Sequence, residues 1–468
     1  MLSLFRPRCP LNPGEKAWIE FRLSWLLEHF GAERLRKMET ILPTGEFFPL
    51  PYRGEPAQAQ AVFERVCRYM GVDPGGYRLH LFDDETDERE LPPRQKHETI
   101  LYESAAGEEE TSGGSQAGTL HLHKGLIVDL EFLITIISRK IGQSLIESKT
   151  KLPADPQEFH HTLELTPLFF GLGIMAANSV LREKAQNFYG QHEWSMYATG
   201  GLTSRDHGYA FALISWLKEE PLPPWRNHLR RDVEDSFKAS LRYLEKTGDS
   251  ILDRDSPAKP YFRGRLEDWL RDAKTGTPSR RIAALWAIQD EASAVRAGEQ
   301  VSIIADNLSH REPEVRKAAA TAIEQIGEAA SQAIPELLTA SEDRHASVRS
   351  VAALAMGSMT DHAEEVLPGL LPMLNDRNVH VSNAAAWAIG QFGEKAEEAG
   401  PALVHLLRRG ILRCTKDSLN DILDALLKVT KHPEEVVMET LLERDAETCQ
   451  RALDLLKEHR IDAVAQES

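Results

Sequence analysis

The sequence is poor in cysteine, in cationic excess and in long apolar runs, and each shortage removes a class of protein. Four cysteines, Cys9, Cys67, Cys414 and Cys449, are scattered over 468 residues with no CxxC pair. That excludes a disulfide framework and a zinc ribbon, and it fits reduced thiols in a cytosolic protein. Acidic residues outnumber basic ones, 72 against 55, for a formal net charge of −17. A general nucleic-acid or anionic-membrane binder needs concentrated Lys and Arg instead. No stretch approaches the ~20 apolar residues of a membrane span. The opening MLSLFRPRCPLNPGE places Arg and Pro where a signal peptide has its apolar core. The expected compartment is the cytoplasm. There is no P-loop, and no Cys/His nucleophile pair that spacing alone joins. GLGIMA (171–176) matches Gly-x-Gly-x-x-Ala but follows helical LELTPLFF rather than a strand, so small residues at a helix crossing explain it. GGSQA lacks the last glycine of a nucleophile elbow.

What is present is a repeat. Val315, Val348 and Val381 recur at one fixed interval, and Pro335, Pro368 and Pro401 recur at the same interval. That interval lies in the range that marks stacked repeat architectures. VRKAAATAIEQIG, VRSVAALAMGSMT and VSNAAAWAIGQFG align in the same register. Each unit predicts an Ala-rich helix, a short break and a second helix opened by Pro, whose missing N–H costs nothing in a first turn. One such hairpin leaves its apolar stripe uncovered, so neighbours must stack into an α-solenoid. A weaker first unit is expected at PSRRIAALWAI, where Ile282 stands one full interval before Val315. SLNDILDALLKV continues the array, and AETCQRALDLLKEHR reads as a cap.

The pattern resembles HEAT repeats, in particular the short Asp-x4-Val-Arg-x2-Ala-Ala form of phycobilisome-lyase-like proteins. Asp343, Val348, Arg349, Ala352 and Ala353 carry the match, and the resemblance covers about residues 262–430. It implies a concave surface for protein partners, against the plainer reading of a rigid spacer or lid. HEAT-type iron hydroxylases carry paired His-Glu dipeptides in their repeats; none occurs after residue 193, which excludes them. Arg316 and Arg349 are expected to hold inter-repeat hydrogen bonds. No nucleic acid and no membrane are expected as partners.

The N-terminal half predicts helices over GEKAWIEFRLSWLLEHFG and PAQAQAVFERVCRYMGV, from their 3.6-residue apolar period. Short strands follow at YRLHLF, ETILYES and TLHLHKG, separated by the acidic DDETDERE and the Gly/Ser-rich AAGEEETSGGSQAG. Helices are then expected at 130–147, 158–181, 206–219 and 227–246. HEW (192–194) and DHGYAF (206–211) read as structural. The expected fold is mainly α: an α+β domain over 1–252, a linker over 253–261 and a solenoid over 262–468.

One helix stands out. EFLITIISRKIGQSLIES (131–148) is apolar at Phe132, Leu133, Ile134, Ile136, Ile137, Ile141, Leu145 and Ile146, yet carries Arg139, Lys140 and Gln143. A strand ending in LHLHKG, this helix and a second helix further on resemble the zincin metallopeptidases, specifically a gluzincin-related bacterial domain found fused to HEAT repeats. FFGLGIMAANS (169–179), GYAFALISW (208–216) and EKAWIEFRLSWLLEHFG carry that resemblance over about residues 10–290. It implies a His-Glu-x-x-His helix in which two His bind zinc and Glu activates water. A third ligand, Glu, and a supporting Asp come from the next helix. Here Arg139 falls at the first His, Lys140 at the Glu, Gln143 at the second His, His160 at the third ligand and Glu164 at the supporting Asp.

Every position that matters departs. Arg stays protonated, with a pKa above ~12, and cannot ligate zinc; Lys is a cation, and Gln is a poor ligand. A cation on this face wants a carboxylate, Glu164 or Glu158. The expectation is therefore a pseudo-active site with no catalytic residue and no cofactor. The plainer reading lets Arg139 and Lys140 snorkel to solvent. Weak metal candidates remain: His160 and Glu164 at i, i+4, with His161 beside them, and His121 and His123 on one strand face. They define the alternative, a divergent metal-dependent hydrolase with zinc at a rearranged site. The leading function read from the sequence is a non-catalytic, protein-binding scaffold.

Overall fold

The computed structural model describes residues 7–83, 100–104, 118–149, 156–186, 201–256, 259–295, 298–413, 419–442 and 445–467. Contacts divide the chain into Met1–Arg263 and Gly264–Ser468.

The first unit contains α1 (Pro13–Phe30), α2 (Ala32–Lys37), α3 (Pro56–Met70), β1 (Tyr77–Phe82), β2 (Ile100–Ser104), β3 (Gly118–His123), α4 (Leu130–Glu147), α5 (Pro156–Phe169), α6 (Gly173–Gln186), α7 (Ser204–Leu217) and α8 (Arg231–Thr247). Helix α1 starts where its sequence says it should. Asn12 and Glu15 form a reciprocal capping box ahead of Pro13, satisfying amide groups the helix itself leaves open. The sheet has order β1-β3-β2, with β3 parallel to β1 and antiparallel to β2. Leu120 and Leu122 are buried, and Tyr77 Oη bonds Ser144 Oγ at 3.1 Å to tie β1 to α4.

Helix α4 has the bounds expected from its sequence, and seven of the eight apolar residues assigned to its core are buried; Leu145 is half-exposed. Thr135, Ser138 and Gly142 are buried as well. Gly142 is small for a reason: a Cβ there would sit 2.6 Å from Thr166 Cγ2 on α5. Ile146 of α4 and Leu163 of α5 close against Trp25 and Phe30 of α1.

The single helix expected over 158–181 is two helices. Between them Gly171 adopts φ +86°, and any Cβ would lie 2.3 Å from the carbonyl oxygen of Glu39. Ile41 N–H donates to Gly171 O at 2.9 Å across the same contact. The helix breaks because a distant stretch of chain needs the space and the carbonyl. At the end of the stretch expected as a linker (253–261), Tyr261 N–H donates to Ser24 Oγ of α1 at 3.1 Å. The rings of Phe262 and Phe21 follow at 5.8 Å. A buried ionic cluster adds to this side of the unit. Lys16 Nζ lies 3.1 Å from Glu20 Oε1 and 3.6 Å from Asp249 Oδ2. Tyr209 Oη and Ile251 N–H donate to the two oxygens of Glu20 at 2.5 and 3.0 Å. Such a cluster is tolerated because each buried charge has a partner.

The second unit alternates two kinds of helix. Ala-rich α10 (Pro278–Asp290), α12 (Pro313–Ile326), α14 (Ala346–Gly357) and α16 (Val379–Gln391), and then Leu-rich α18 (Leu419–Val429), pack each on the next. The second set comprises α11 (Glu299–Ala305), α13 (Ile334–Ala340), α15 (Ala363–Met373), α17 (Gly400–Arg413) and α19 (Pro433–Leu441). Helix α9 (Leu266–Thr275) precedes the array and α20 (Ala446–Glu467) follows it. Small residues permit the close Ala-rich stacking: a Cβ on Gly357 would meet Ala388 Cα at 2.7 Å.

A ladder of arginines links repeats, as expected for Arg316 and Arg349. Arg316 grips Asp343 bidentately (2.6 and 2.9 Å), and Arg349 grips Asp376 in the same way (2.7 and 2.9 Å). In the first unit of the array, Arg281 donates to Asn307 Oδ1 at 2.9 Å. A strict repeat interval counted back from Arg316 falls on Ala283 rather than Arg281. Ile282 is buried like Val315, Val348 and Val381, while the first rung, Arg281, stands two residues earlier than strict periodicity from Arg316 would put it.

Candidate functional site

The resemblance assigns five residues to a pseudo-site as an expectation, and the structure describes the contacts of four of them. Arg139 Nη2 donates to Glu164 Oε2 at 2.5 Å, with the two side chains 17% and 15% exposed. The guanidinium does not snorkel to solvent; it is drawn to a carboxylate one helix away. Lys140 Nζ donates to Gln143 Oε1 at 3.2 Å, and Gln143 Nε2 donates to Glu147 Oε1 at 2.9 Å. The backbone of His160 belongs to α5, but its side chain, with those of His161 and Glu158, lies outside the described residues, as does HEW.

His207, in the stretch DHGYAF expected to be structural, lies within the electrostatic reach of Arg139. It is fully buried, and its Nδ1 donates to Thr203 O at 3.0 Å, which leaves Nε2 as the bare nitrogen. Burial, then the charges of Arg139 and Arg230, push its pKa down to about 4. The N-terminus of α7 fixes its position: Thr203 and Asp206 form a capping box one turn earlier. That box is legible as Thr-x-x-Asp, but nothing local says it delivers the histidine to the field of Arg139.

The strand histidines do not form exposed polar surface. The register His80↔His121 brings the two Nδ1 atoms to 2.9 Å, one donating and one accepting, with His121 buried. Gly125 N–H donates to His123 Nδ1 at 3.1 Å. Among the described residues, no three His, Cys, Asp or Glu side chains converge as metal ligands. The described donor set does not fit zinc, which takes neutral imidazole or anionic oxygen and sulfur. Arg139 and Gln143, which the resemblance assigns to ligand positions, are a cation and an amide, and Arg139 is paired with Glu164.

A second site lies in the solenoid. A groove of about 1040 Å³ opens between α13 and α15 and the turns that follow them. Leu338, Pro368, Pro372 and Met373 are among its lining residues, together with Arg344 and Arg377.

Residues 334–413 match the profile of HEAT repeats, and residues 315–343 that of the PBS lyase HEAT-like repeat. The C-terminal region is thus a HEAT-repeat α-solenoid. Solved structures similar to the chain include an engineered protein, at 13% identity and a TM-score of 0.33, covering 96% of this chain and 99% of that one. A designed armadillo repeat protein in complex with the peptide (KR)4 is 18% identical over 42% of this chain and 99% of its own, with a TM-score of 0.32. The karyopherin Kap121p bound to the SUMO protease Ulp1p is 12% identical over 70% of this chain and 35% of its own, with a TM-score of 0.31. No curated protein matches the chain. No helix among the described residues is long and apolar enough to cross a membrane.

Proposed function

We propose that the protein is a non-catalytic scaffold of the cytoplasm. Its HEAT array docks a protein partner, and its N-terminal domain keeps a zincin-like frame without the metal chemistry. The ion pair between Arg139 and Glu164 carries the second half of this reading. A fixed guanidinium stands in the place of the metal's positive charge, on the helix where the resemblance puts a zinc ligand. Such a pair holds α4 to α5 but supplies neither a Lewis acid nor an activated water. The groove between successive repeats supports the first half.

The test is metal content. Purified full-length protein is loaded with excess zinc, dialysed and assayed for bound metal and for hydrolysis of fluorogenic casein. The expected result is well below one zinc per chain and no hydrolysis. One zinc per chain, lost on Glu164→Gln, overturns the reading in favour of a metal-dependent hydrolase with a rearranged site.

A further inference from the structure

Arg311, Arg344 and Arg377 occupy the same turn of three successive repeats, each one repeat interval from the next, and all three are exposed. In an acidic chain this is a local row of positive charge. Two of its acidic neighbours are engaged elsewhere. Asp343 and Asp376, beside Arg344 and Arg377 in sequence, are held by Arg316 and Arg349 of the ladder. Glu342 also lines the groove, where it is outnumbered by Arg344 and Arg377; Arg311 extends the row by one repeat, with Glu312 at 3.5 Å. Leu338, Pro368, Pro372 and Met373 line the same groove and give it apolar surface.

We propose that this groove docks an acidic, extended segment of a partner protein, with carboxylates on the Arg344 and Arg377 guanidiniums and apolar side chains on the apolar lining. This names the partner chemistry for the scaffold reading above and rests on its protein-binding half. The spacing specifies the conformation. Packed helices of successive repeats lie ~8–10 Å apart, and a polyproline II segment brings every third residue to one face at about 9.3 Å. Acidic residues at every third position of such a segment meet successive arginines, whereas strand geometry repeats a face at about 6.7 Å and falls out of step. Arginine suits the task because its planar fork takes a carboxylate bidentately. Between a carboxylate segment and a phosphate backbone, the apolar lining of Leu338, Pro368, Pro372 and Met373 favours a peptide that carries apolar side chains between its charges.

The test uses the full-length chain and fluorescein-labelled (Glu-Pro-Pro)4, with (Lys-Pro-Pro)4 and (Ser-Pro-Pro)4 as controls, read by fluorescence anisotropy. Saturable binding of the acidic peptide alone is expected. The pair Arg344→Glu with Arg377→Glu weakens it at least tenfold without moving the thermal transition, since both positions are exposed. Arg344→Lys with Arg377→Lys retains part of the binding. Equal binding of the basic or neutral peptide overturns the acidic assignment and leaves the scaffold reading standing. Binding of none of the three overturns the groove as a docking site. Displacement of the acidic peptide by equimolar dT10 overturns it in favour of a phosphate backbone.

Discussion

Replacing Arg139 by Met leaves Glu164 as a charge 15% exposed, facing a thioether instead of a guanidinium. At an effective dielectric of about 20, unit charges about 4 Å apart attract by ~4 kcal/mol. Breaking a buried pair from one side costs ~3–5 kcal/mol because the survivor is left uncompensated. Partial exposure screens the survivor, so ~2–3 kcal/mol is the expected loss. For a unit of this size that lowers the calorimetric transition by roughly 4–12 °C. Glu164→Leu alone is expected to cost a similar amount, since it strands the guanidinium. Arg139→Met with Glu164→Leu is expected to recover most of the loss, because a well-packed apolar pair is often as stable as a buried ionic one. Scanning calorimetry of the full chain gives the double-mutant cycle, with an expected coupling of ~2 kcal/mol or more. Single variants that leave the transition where it was, or single effects that merely add, refute the claim that this pair replaces a metal as the tie between α4 and α5.

Three further outcomes follow from particular contacts. His207 stays neutral in the folded protein down to about pH 4, whereas the unfolded chain takes up its proton below about 6.5. Stability therefore falls as pH drops from 6.5 to 4, by up to ~3 kcal/mol from this group. His207→Asn, which keeps a donor for Thr203 O, should flatten that part of a urea-denaturation pH profile. Asp376→Asn should destabilise the solenoid by ~1.5–3 kcal/mol, since Arg349 loses a charged acceptor. The hydrogen bond from Arg349 holds the Asp376 carboxyl below its ordinary value, so this contribution is present above about pH 4 and lost as pH falls through the folded value; the Asn variant should lack the dependence. Gly357→Ala pushes a methyl to 2.7 Å from Ala388 Cα and should cost ~1–3 kcal/mol in denaturant melts despite the better helix propensity of Ala. A stabilised variant would show that the α14–α16 crossing has room.

What the sequence determined by itself was local and periodic. The regular recurrence of Val and Pro, with Ala between, is sufficient for a stacked helical array, because such hairpins have only one way to bury their stripes. The bounds of α4 and the cap of α1 were legible for the same reason: a helix period and a capping box are written within a few residues. The demand of Arg139 for a carboxylate was legible too, since a cation on an apolar helix needs a partner; that the partner is Glu164 depends on how α5 lies.

The tertiary structure decided everything that joins distant residues. The break at Gly171 is marked locally by a left-handed glycine whose neighbour Leu172 N–H closes on Pro167 O, but its contact with the carbonyl of Glu39, far earlier in the chain and before all three strands, is not. His121, a weak metal candidate in the sequence, becomes a buried partner of His80 through a strand register set between distant stretches of chain. Lys16 and Glu20 are visible as an i,i+4 pair, but Asp249, Tyr209 and Ile251, which make their burial tolerable, come from the far end of the unit. His207 reaches the field of Arg139 only because α5 and α6 pack against both α4 and α7. Periodicity constrains which face of an element is buried; which charges meet on that face is settled by packing, because a Coulomb partner is chosen by distance in space and not by distance along the chain.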